Sequence, residues 1–550
     1  MSDTSLFIRK ATGLVRSWSV FDAFVYAFFS INLVTLGLYI FSQMYYLQGG
    51  LVPTMVISSL FILFEVVIYA AMIAVMPRSG GDYIWQSRVL GGGVGFVLAV
   101  TGWWFILWLW VPLYADMLRK SVFIPILGIL GSQQTASWFQ TADGFFVTSL
   151  IMLALVAIYI AIGMKWYARV QKICFWGGMA GMLFVLVLLL TGSHEAFKAG
   201  LETNATTLFG AQPGVYDATI AAGQAAGATL PLTGGAIGVI FLAMPYIVFF
   251  NLWPNWGATL YGEVRGATDF KRNFWGMALA LIGTALLGIL LLYSIARTIG
   301  WDFYINANGA FWNYTWGYTT TPAPLPIWPY PALLATFLTT NRAIQLIVVL
   351  LMSLWWFGWS GTVFLSSTRV IFAAAFDRLL PEKVAEVEPR TRTPLWALVL
   401  MVVPSILVAY LYAYNKFNFQ TLTLDSTLVI AVTYLGTTIA AILLPYVKKD
   451  LYNASPIAKY KFLGIPLVTI AGVIFGAFLV FLLVEWLFDP WLNSNGQPPG
   501  LYGISLMNKS SVIFMAVNYI LALAIYLGFK YYRKSKGIDI DKVHKEIPVE

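Results

Sequence analysis

Long runs of apolar residues recur along the chain and are separated by more polar segments. Twelve of these runs are close to or above the ~20 residues that an α-helix needs to cross the hydrocarbon core of a bilayer. We number them spans 1 to 12, and they lie at 18–45, 51–76, 91–116, 144–164, 170–192, 236–261, 274–298, 343–371, 394–413, 427–446, 463–486 and 510–531. The pattern predicts an all-α membrane protein with twelve transmembrane helices.

Span 6 is interrupted in its second half by the stretch 249–254, Phe-Phe-Asn-Leu-Trp-Pro. Pro254 has no backbone N–H, and Asn251 places an amide beside the backbone groups that are left without helical partners. Within a bilayer, irregular backbone is tolerated where protein encloses it or where it lines a cavity. Broken helices of this kind hold substrate and ion in secondary transporters. An ordinary proline kink explains the same residues, so this segment alone leaves both interpretations open.

The first span is the natural partner of span 6, since Ser30 and Asn32 place polar groups at its middle. A second echo is the sequence Trp-Trp-Phe, which occurs at 103–105 in span 3 and at 355–357 in span 8. Secondary transporters are often built from two inverted repeats with interrupted helices at matching positions. The echoes therefore predict a single transporter domain over 1–550, with the following parts: a first five-helix repeat at 18–192, a second at 236–446, two further helices within 463–531, and a cytoplasmic tail at 532–550.

Composition agrees with the membrane interpretation, because 59% of the residues are hydrophobic and 10% are charged, against about 25% charged in soluble domains. The net charge of +9 is a topology signal, since 26 of the 33 Lys and Arg residues fall on the side of the N-terminus. This bias predicts that both termini are cytoplasmic. The basic stretch 530–536 then fits contact with anionic lipid, and a nucleic-acid partner is not expected.

Several chemistries are not expected from this sequence. The single cysteine, Cys174, leaves no internal disulfide, and neither histidine (His194, His544) lies in a span. We find no GxxxxGK[ST] loop for ATP and predict no cofactor and no metal. A membrane-embedded enzyme would need clustered carboxylates on one outer loop, whereas the outer carboxylates are scattered along the sequence.

Two long segments on the predicted outer side, 193–233 and 301–341, separate spans 5 and 6 and spans 7 and 8. Such segments are often lids or interfacial caps, and the aromatic residues of the second suit the headgroup zone. Surface decoration is the alternative. Three N-x-[ST] sequons on the outer side leave glycosylation open at Asn204, Asn313 and Asn508.

The most specific motif follows span 8. Ser367, Arg369, Asp377 and Pro381 lie within 367–381, and a basic Pro-Arg-Thr-Arg-Thr-Pro segment follows at 389–394. Three further stretches belong with it: Met-Pro-Arg-Ser-Gly-Gly-Asp-Tyr at 76–83, Gly-Glu-Val-Arg at 262–265, and the tail segment 537–548. Together they resemble the motifs of the amino acid–polyamine–organocation (APC) superfamily of permeases, and the resemblance covers nearly the whole chain.

The resemblance implies a five-plus-five inverted-repeat (LeuT-like) fold in which spans 1 and 6 are unwound at mid-membrane and hold the substrate. Members of the superfamily bind the carboxylate of an amino acid through free N–H groups and its amine through free carbonyls. An aromatic residue on span 6 gates the outer side, and Phe249 matches it. The implied substrate-binding residues are Ser30, Ile31, Asn32, Leu33, Phe249, Phe250, Asn251 and Trp253.

Two departures from the superfamily pattern concern this site. Members usually carry a Gly-Ser-Gly run in span 1, where this chain has none between Ser30 and Gly37. Trp253 and Pro254 also stand where glycine followed by an aromatic residue is common. The broken backbone is therefore more crowded than in relatives, which bears on the substrate more than on the fold.

Three residues are candidates for energy coupling. Ser360 and Thr362 on span 8 match approximately the hydroxyls that complete a sodium site in sodium-coupled relatives. Glu65 is the carboxylate nearest the centre of a span, where an ionised group is costly and a proton can be bound and released; Asp22, Asp116 and Glu485 lie nearer span ends. The lysine that replaces sodium in some proton-coupled relatives is missing from 174–183.

The sequence thus predicts a plasma-membrane secondary transporter for amino acids or related organic cations. The resemblance implies that it works by alternating access, coupled to protons or sodium or by exchange. The partners expected are a small-molecule substrate, H+ or Na+, and membrane lipid. The alternatives are a membrane-embedded enzyme and a transporter-like nutrient receptor.

Overall fold

A computed structural model describes residues 13–497 and 500–547. In these ranges twelve helical runs are long and apolar enough to cross a membrane, as the sequence predicts. Their bounds, from span 1 to span 12, are Val20–Gln43, Leu51–Val75, Gly92–Ile129, Ala142–Ala161, Met164–Thr191, Ile237–Glu263, Phe270–Thr315, Arg342–Phe376, Leu395–Ala413, Lys416–Val447, Leu467–Asn493 and Lys509–Ser535. The twelve-helix all-α architecture is confirmed, and the division into two repeats stays a prediction. Residues 548–550 of the predicted tail lie outside the described ranges.

Spans 3 and 7 are longer than their apolar runs. Span 3 is helical as far as Ile129. It includes short π-helical turns at Thr101–Phe105 and Arg119–Phe123. Span 7 continues through a π-helical turn at Ala296–Gly300 into the helix Trp301–Thr315. The sequence assigned residues 301–315 to a segment between spans 7 and 8, but they form a helix whose Trp312 packs against Tyr39 and Ser42 of span 1.

Shorter elements connect the spans. Asp82–Val89, which we name the loop helix, joins spans 2 and 3. The other helices are Gln133–Trp138, His194–Phe209, Val215–Ala225, Pro331–Thr336, Lys449–Asn453 and Ile540–Val543, with a 3₁₀ turn at Glu382–Ala385. Strands Lys461–Phe462 and Ile465–Pro466 form an antiparallel hairpin before span 11.

The two long segments 193–233 and 301–341, which are predicted to be outer, cover the C-terminal end of span 1. The Trp312 and Trp328 indoles both donate hydrogen bonds to the Ser42 hydroxyl, at 2.8 and 3.2 Å. From the first segment, the Leu230 amide donates to the Tyr45 carbonyl at 2.9 Å. These contacts favour a cap over surface decoration, because they bury polar groups of span 1 that would otherwise meet water.

The fold also bears on glycosylation. The side chain of Asn204 is 4% exposed; it donates to the Gly200 and Phe337 carbonyls and accepts from the Gln345 amide. A glycan on this amide is incompatible with that packing. The Asn508 side chain caps span 12 through the amides of residues 510 and 511.

Candidate functional site

Span 1 is broken at Asn32. Regular α-helix ends at Ile31, Asn32 has a φ of 45° and a ψ of 82°, and the chain resumes as a π-helical turn at Leu33. Asparagine is one of the few residues that enter the left-handed region readily. Its side-chain oxygen accepts from the Thr35 amide at 2.9 Å, and its side-chain nitrogen donates to the Trp355 carbonyl of span 8 at 2.9 Å. One side chain thus caps the break and holds it against span 8.

The neighbouring residues of the break are buried. The Ser30 hydroxyl donates back to the Tyr26 carbonyl at 2.8 Å. Ile31 and Leu33 are fully buried apolar side chains, and Leu33 packs close to Gly288 of span 7. Residues 30–33 therefore offer a ligand mainly their backbone.

Span 6 is broken between Asn251 and Trp256. The α-helix ends at Asn251, and the chain continues from Trp256 to Glu263 as 3₁₀ helix. Pro254 cannot donate to the carbonyl one turn earlier. The indole of Trp253 donates to the Phe249 carbonyl at 2.7 Å. The sequence-predicted interruption is thus present, and a side chain satisfies part of its backbone.

Large aromatic side chains surround this break, and we name them the aromatic cluster. Its members come from spans 3, 6 and 10 and are each at most 2% exposed: Trp103, Trp110, Phe249, Trp253, Trp256 and Tyr434. The rings of Phe249 and Trp110 stack with centroids 5.6 Å apart and an interplanar angle of 10°. Trp110 also stacks on Trp256 at 5.6 Å and meets the Trp253 edge at 5.2 Å. Trp110 is therefore the centre of the cluster.

Phe250 and Asn251 lie on other faces of span 6. Phe250 packs edge-on against Phe41 of span 1 at 5.1 Å. It also lies so close to Gly37 that a Cβ there would come within 2.9 Å of the ring. The side-chain nitrogen of Asn251 donates to two serine hydroxyls of span 2, Ser58 at 2.8 Å and Ser59 at 3.0 Å.

The structure thus divides the eight predicted substrate residues. Phe249 and Trp253 meet in the aromatic cluster, whereas the Asn32 side chain faces span 8 and that of Asn251 faces span 2. Sequence reasoning missed Trp110, Trp256 and Tyr434 as neighbours of the break. The Trp-Trp-Phe echo that contains Trp103 was interpreted as a sign of an internal repeat, and it did not identify this part of span 3 as a neighbour of the break.

Several buried polar atoms at the break have no hydrogen-bond partner among the described residues. They are Trp103 Nε1, Trp110 Nε1, Asn251 Oδ1 and Asn255 Nδ2. Buried polar groups in folded proteins are nearly always hydrogen-bonded. Three of these four atoms are donors, so the site has unused capacity to bind an oxygen-bearing group.

The span 8 hydroxyls are engaged locally. Ser360 donates to the Phe357 carbonyl at 3.1 Å, and Thr362 donates to the Trp359 carbonyl at 2.8 Å. The Thr362 carbonyl in turn accepts from the Trp256 indole and the Tyr26 hydroxyl, both at 3.0 Å. A cation at this carbonyl would have to displace two hydrogen-bond donors.

Glu65 is fully buried in span 2, and neither of its carboxylate oxygens has a hydrogen-bond partner among the described residues. It interacts electrostatically with Asp82, the first residue of the loop helix. The sequence singled out Glu65 but gave no signal for Asp82 as its neighbour.

The position expected for Asp116 is wrong. Since span 3 extends to Ile129, Asp116 lies well inside it and is 5% exposed. Its carboxylate accepts from the Tyr39 hydroxyl at 2.6 Å and pairs with Lys120 at 2.7 Å and with Arg119 at 2.6 Å. The Lys120 ammonium also lies 4.5 Å from the Trp312 ring. This charged group joins spans 1 and 3 to the outer cap.

On the predicted inner side, a buried ion pair joins spans 6 and 8. Arg369 donates to both carboxylate oxygens of Glu263, at 2.7 and 3.2 Å, and the two side chains are 0% and 1% exposed. These residues belong to two of the motifs singled out in the sequence. The pair makes the inner half of span 6 part of one unit with span 8 in this conformation.

The break in span 1 can be tested by substitution of Asn32. Alanine at this position is expected to lower the free energy of unfolding by about 2–4 kcal/mol, because left-handed strain adds to the loss of two buried hydrogen bonds. Glycine loses the same bonds but adopts the backbone freely, so N32G should be the milder variant. Denaturation of both variants in detergent measures the difference. An N32G protein that is no more stable than N32A would contradict the left-handed assignment.

One known protein family matches the sequence over most of its length. A family model described as "Amino acid permease" matches residues 20–525, which include all twelve spans in part or in full. No curated protein matches the chain.

Proposed function

Because the chain belongs to the amino acid permease family of the APC superfamily and is a multi-pass membrane transporter, we propose that it is a secondary active transporter. Its substrates are amino acids or closely related organic cations. The charge bias of its loops supports a cytoplasmic location for both termini, and the proposed location of the transporter is the plasma membrane. Family membership favours transport over the enzyme alternative.

The observation that carries this proposal is the pair of interruptions in spans 1 and 6, the second of which opens onto the aromatic cluster. Amides at the start of the helix after Asn32 suit a carboxylate, because helix N-termini carry partial positive charge. Carbonyls at the end of the helix before Leu252 suit an amine. Residues 30–33, Phe249, Asn251 and Trp253 are therefore the proposed substrate-binding residues, and Phe250, which packs against Phe41, is set apart from them.

The aromatic cluster refines the substrate class. A protonated amine is attracted to the face of an indole or phenyl ring, and the attraction is stronger when water is excluded. Trp110 and Phe249 are such rings in a fully buried setting; they stack on each other in this conformation, so an amine would have to separate them. An amine is common to amino acids and polyamines, and Trp253 restricts the room for the rest of the molecule.

Two bridges suggest how access alternates. Tyr39 and Asp116 connect spans 1 and 3 beneath the outer cap, while Arg369 and Glu263 connect spans 8 and 6 on the inner side. We expect the outer bridge to open when substrate enters and the inner bridge to open when it leaves. Spans 1, 2, 6 and 7 would then rock against the remaining spans.

For coupling, the geometry favours Glu65 over the span 8 hydroxyls. Glu65 is buried with both oxygens unpartnered, whereas the hydroxyls of Ser360 and Thr362 already donate to carbonyls of their own span. A proton-coupled mechanism through Glu65 is therefore the preferred form of the proposal, and sodium coupling through Ser360 and Thr362 is its alternative.

A ligand screen tests the proposed function. A substrate that binds the native state is expected to raise its free energy of unfolding by about 2.7 kcal/mol at a concentration of ~100 Kd. Purified protein is heated with individual amino acids and polyamines, with and without sodium, and each stabilising compound is then tested for uptake into proteoliposomes. Stabilisation without uptake would favour a nutrient receptor. Absence of both stabilisation and uptake, under proton and sodium gradients, would overturn the proposal.

A further inference from the structure

Glu65 and Asp82 form a pair of fully buried carboxyl groups that the sequence separates into two elements. Glu65 lies in span 2, and Asp82 begins the loop helix between spans 2 and 3. Both side chains are 0% exposed. Neither oxygen of Glu65 and only one oxygen of Asp82 is hydrogen-bonded within the described ranges. Buried polar atoms are rarely left unpaired. Each of these three oxygens is therefore available to bind a proton.

The hydrogen bonds that Asp82 does make converge on its other oxygen. The Tyr69 hydroxyl donates to Asp82 Oδ1 at 2.6 Å, and the Thr437 hydroxyl of span 10 donates to the same atom at 2.5 Å. Tyr69 lies one helical turn after Glu65, so both face the same neighbours. The loop helix is thereby held against spans 2 and 10.

The groups that face the pair come from spans 2, 3 and 10. Tyr69 and Tyr434 interact electrostatically with both carboxyl groups, and Trp103 interacts with Asp82. None of these three side chains carries a positive charge. Two carboxylates that interact electrostatically in a buried site without a cation cannot both ionise without a penalty, and burial raises the pKa of Asp82 to about 6.

We propose that Glu65 and Asp82 together form the proton-binding site of this transporter, so that the pair takes up and releases one proton in each transport cycle. The proton adds to a carboxylate oxygen from hydronium on the outer side, forming an O–H bond, and leaves to water on the cytoplasmic side; no electrons are transferred. This inference rests on the proposed function and adds Asp82 as the second carboxyl group.

Two contacts connect the carboxyl pair to the broken part of span 6. The Tyr434 hydroxyl donates to the side-chain oxygen of Asn255 at 3.1 Å, directly after Pro254. In the loop before Asp82, the Gly80 amide donates to the Thr259 carbonyl at 2.8 Å. Through these two contacts, a change in the charge of the pair can affect the inner half of span 6.

Close packing of the loop against spans 6 and 8 requires the two glycines. Gly80 and Gly81 have φ angles of 98° and 38°. A Cβ on Gly81 would lie 3.0 Å from the Thr259 amide nitrogen, and one on Gly80 would lie 2.5 Å from the Ala373 Cβ. Backbone can approach this closely only without side chains. The Gly-Gly motif thus fixes the position of Asp82 relative to span 6.

Transport driven by a pH gradient tests the pair. For a substrate carried with one proton, an inward gradient of about one pH unit raises its equilibrium accumulation about tenfold. We expect this stimulation in proteoliposomes of the native protein and of D217N, a control in which an exposed carboxylate is neutralised. We expect E65Q and D82N each to lose it, whatever rate of exchange each variant retains. Stimulation that persists in both variants would overturn the inference.

Unfolding as a function of pH gives a second readout that does not require transport. Because Asp82 binds its proton more tightly when folded, the native state holds more protons than the unfolded state between about pH 4 and pH 6. By linkage, this group's contribution to stability is greatest below about pH 4 and falls as the pH rises through about 6. D82N should lose this part of the pH dependence, and D217N should keep it.

The two measurements distinguish a failure of the proposed transport function from a failure of the carboxyl pair as the coupling site. If the native protein transports no compound, the proposed function fails while the unfolding profile still reports on proton binding. If it transports substrate without a response to the pH gradient, or if D82N unfolds with the native pH profile, the carboxyl pair is not the coupling site. If E65Q and D82N fail to fold, they show no cooperative unfolding transition. The pH dependence of unfolding of the native protein then decides whether a buried carboxyl group binds a proton between about pH 4 and pH 6.

Discussion

Replacement of Arg369 by alanine is expected to lower the free energy of unfolding by about 3–5 kcal/mol, because it leaves the Glu263 carboxylate buried without its partner. The guanidinium binds both carboxylate oxygens, and both side chains are almost completely buried. Removing one member of a buried pair costs far more than removing both. Chemical denaturation of the purified protein in detergent measures the loss.

Two controls make this prediction specific. Lys198 and Asp217 form an exposed pair at 3.5 Å, with side chains 41% and 79% exposed. K198A should therefore change stability by no more than about 1 kcal/mol. The double variant R369M/E263Q removes both charges and should recover much of the stability lost in R369A. An R369A protein as stable as K198A would contradict the buried pair.

The second large effect is expected at Phe249. Its replacement by leucine should weaken substrate binding about five- to thirtyfold, since a desolvated contact between a cation and an aromatic ring contributes about 1–2 kcal/mol. Leucine keeps most of the buried apolar volume, so the loss of stability should stay within about 1.5 kcal/mol. Titration of the purified variant with the substrate identified in the ligand screen measures the change in Kd.

Phe250 is the matched control, because it is the adjacent phenylalanine on the same helix and is equally buried. It packs against Phe41 rather than Trp110. F250L should therefore lose similar stability while the Kd stays near that of the native protein, and F249Y should retain most of the affinity. Equal weakening of binding in F249L and F250L would show that Phe249 has no special role as a ring facing the amine.

Much of the fold could be predicted because membrane crossing depends on local properties of the chain. The length and polarity of each apolar run are enough to place a span, and all twelve runs correspond to helices in the structure. Where a span must break is also local, since Pro254 lacks a donor and Asn32 tolerates the left-handed region. The prediction of helix ends was less accurate. Span 7 was predicted to end near residue 298 but continues to Thr315.

The candidate site was predictable only in part. Its location at two breaks and the choice of Glu65 follow from residue types that are unusual within a span. Trp110 and Asp82 were not found, because nothing in an aromatic-rich span or a loop motif indicates what each will contact. Asp116 was misplaced for a related reason: the apolar run that contains it ends before the helix does.

The sequence by itself therefore determined how many times the chain crosses the membrane, where two of its helices break, and which family it resembles. The tertiary structure decided which side chains meet. Asn32 hydrogen-bonds to span 8, Asn251 hydrogen-bonds to span 2, Phe249 stacks on Trp110, and Asp82 lies within electrostatic reach of Glu65. These contacts depend on how each helix is rotated and tilted against its neighbours, and packing of whole helix faces, rather than hydropathy along the chain, sets that rotation.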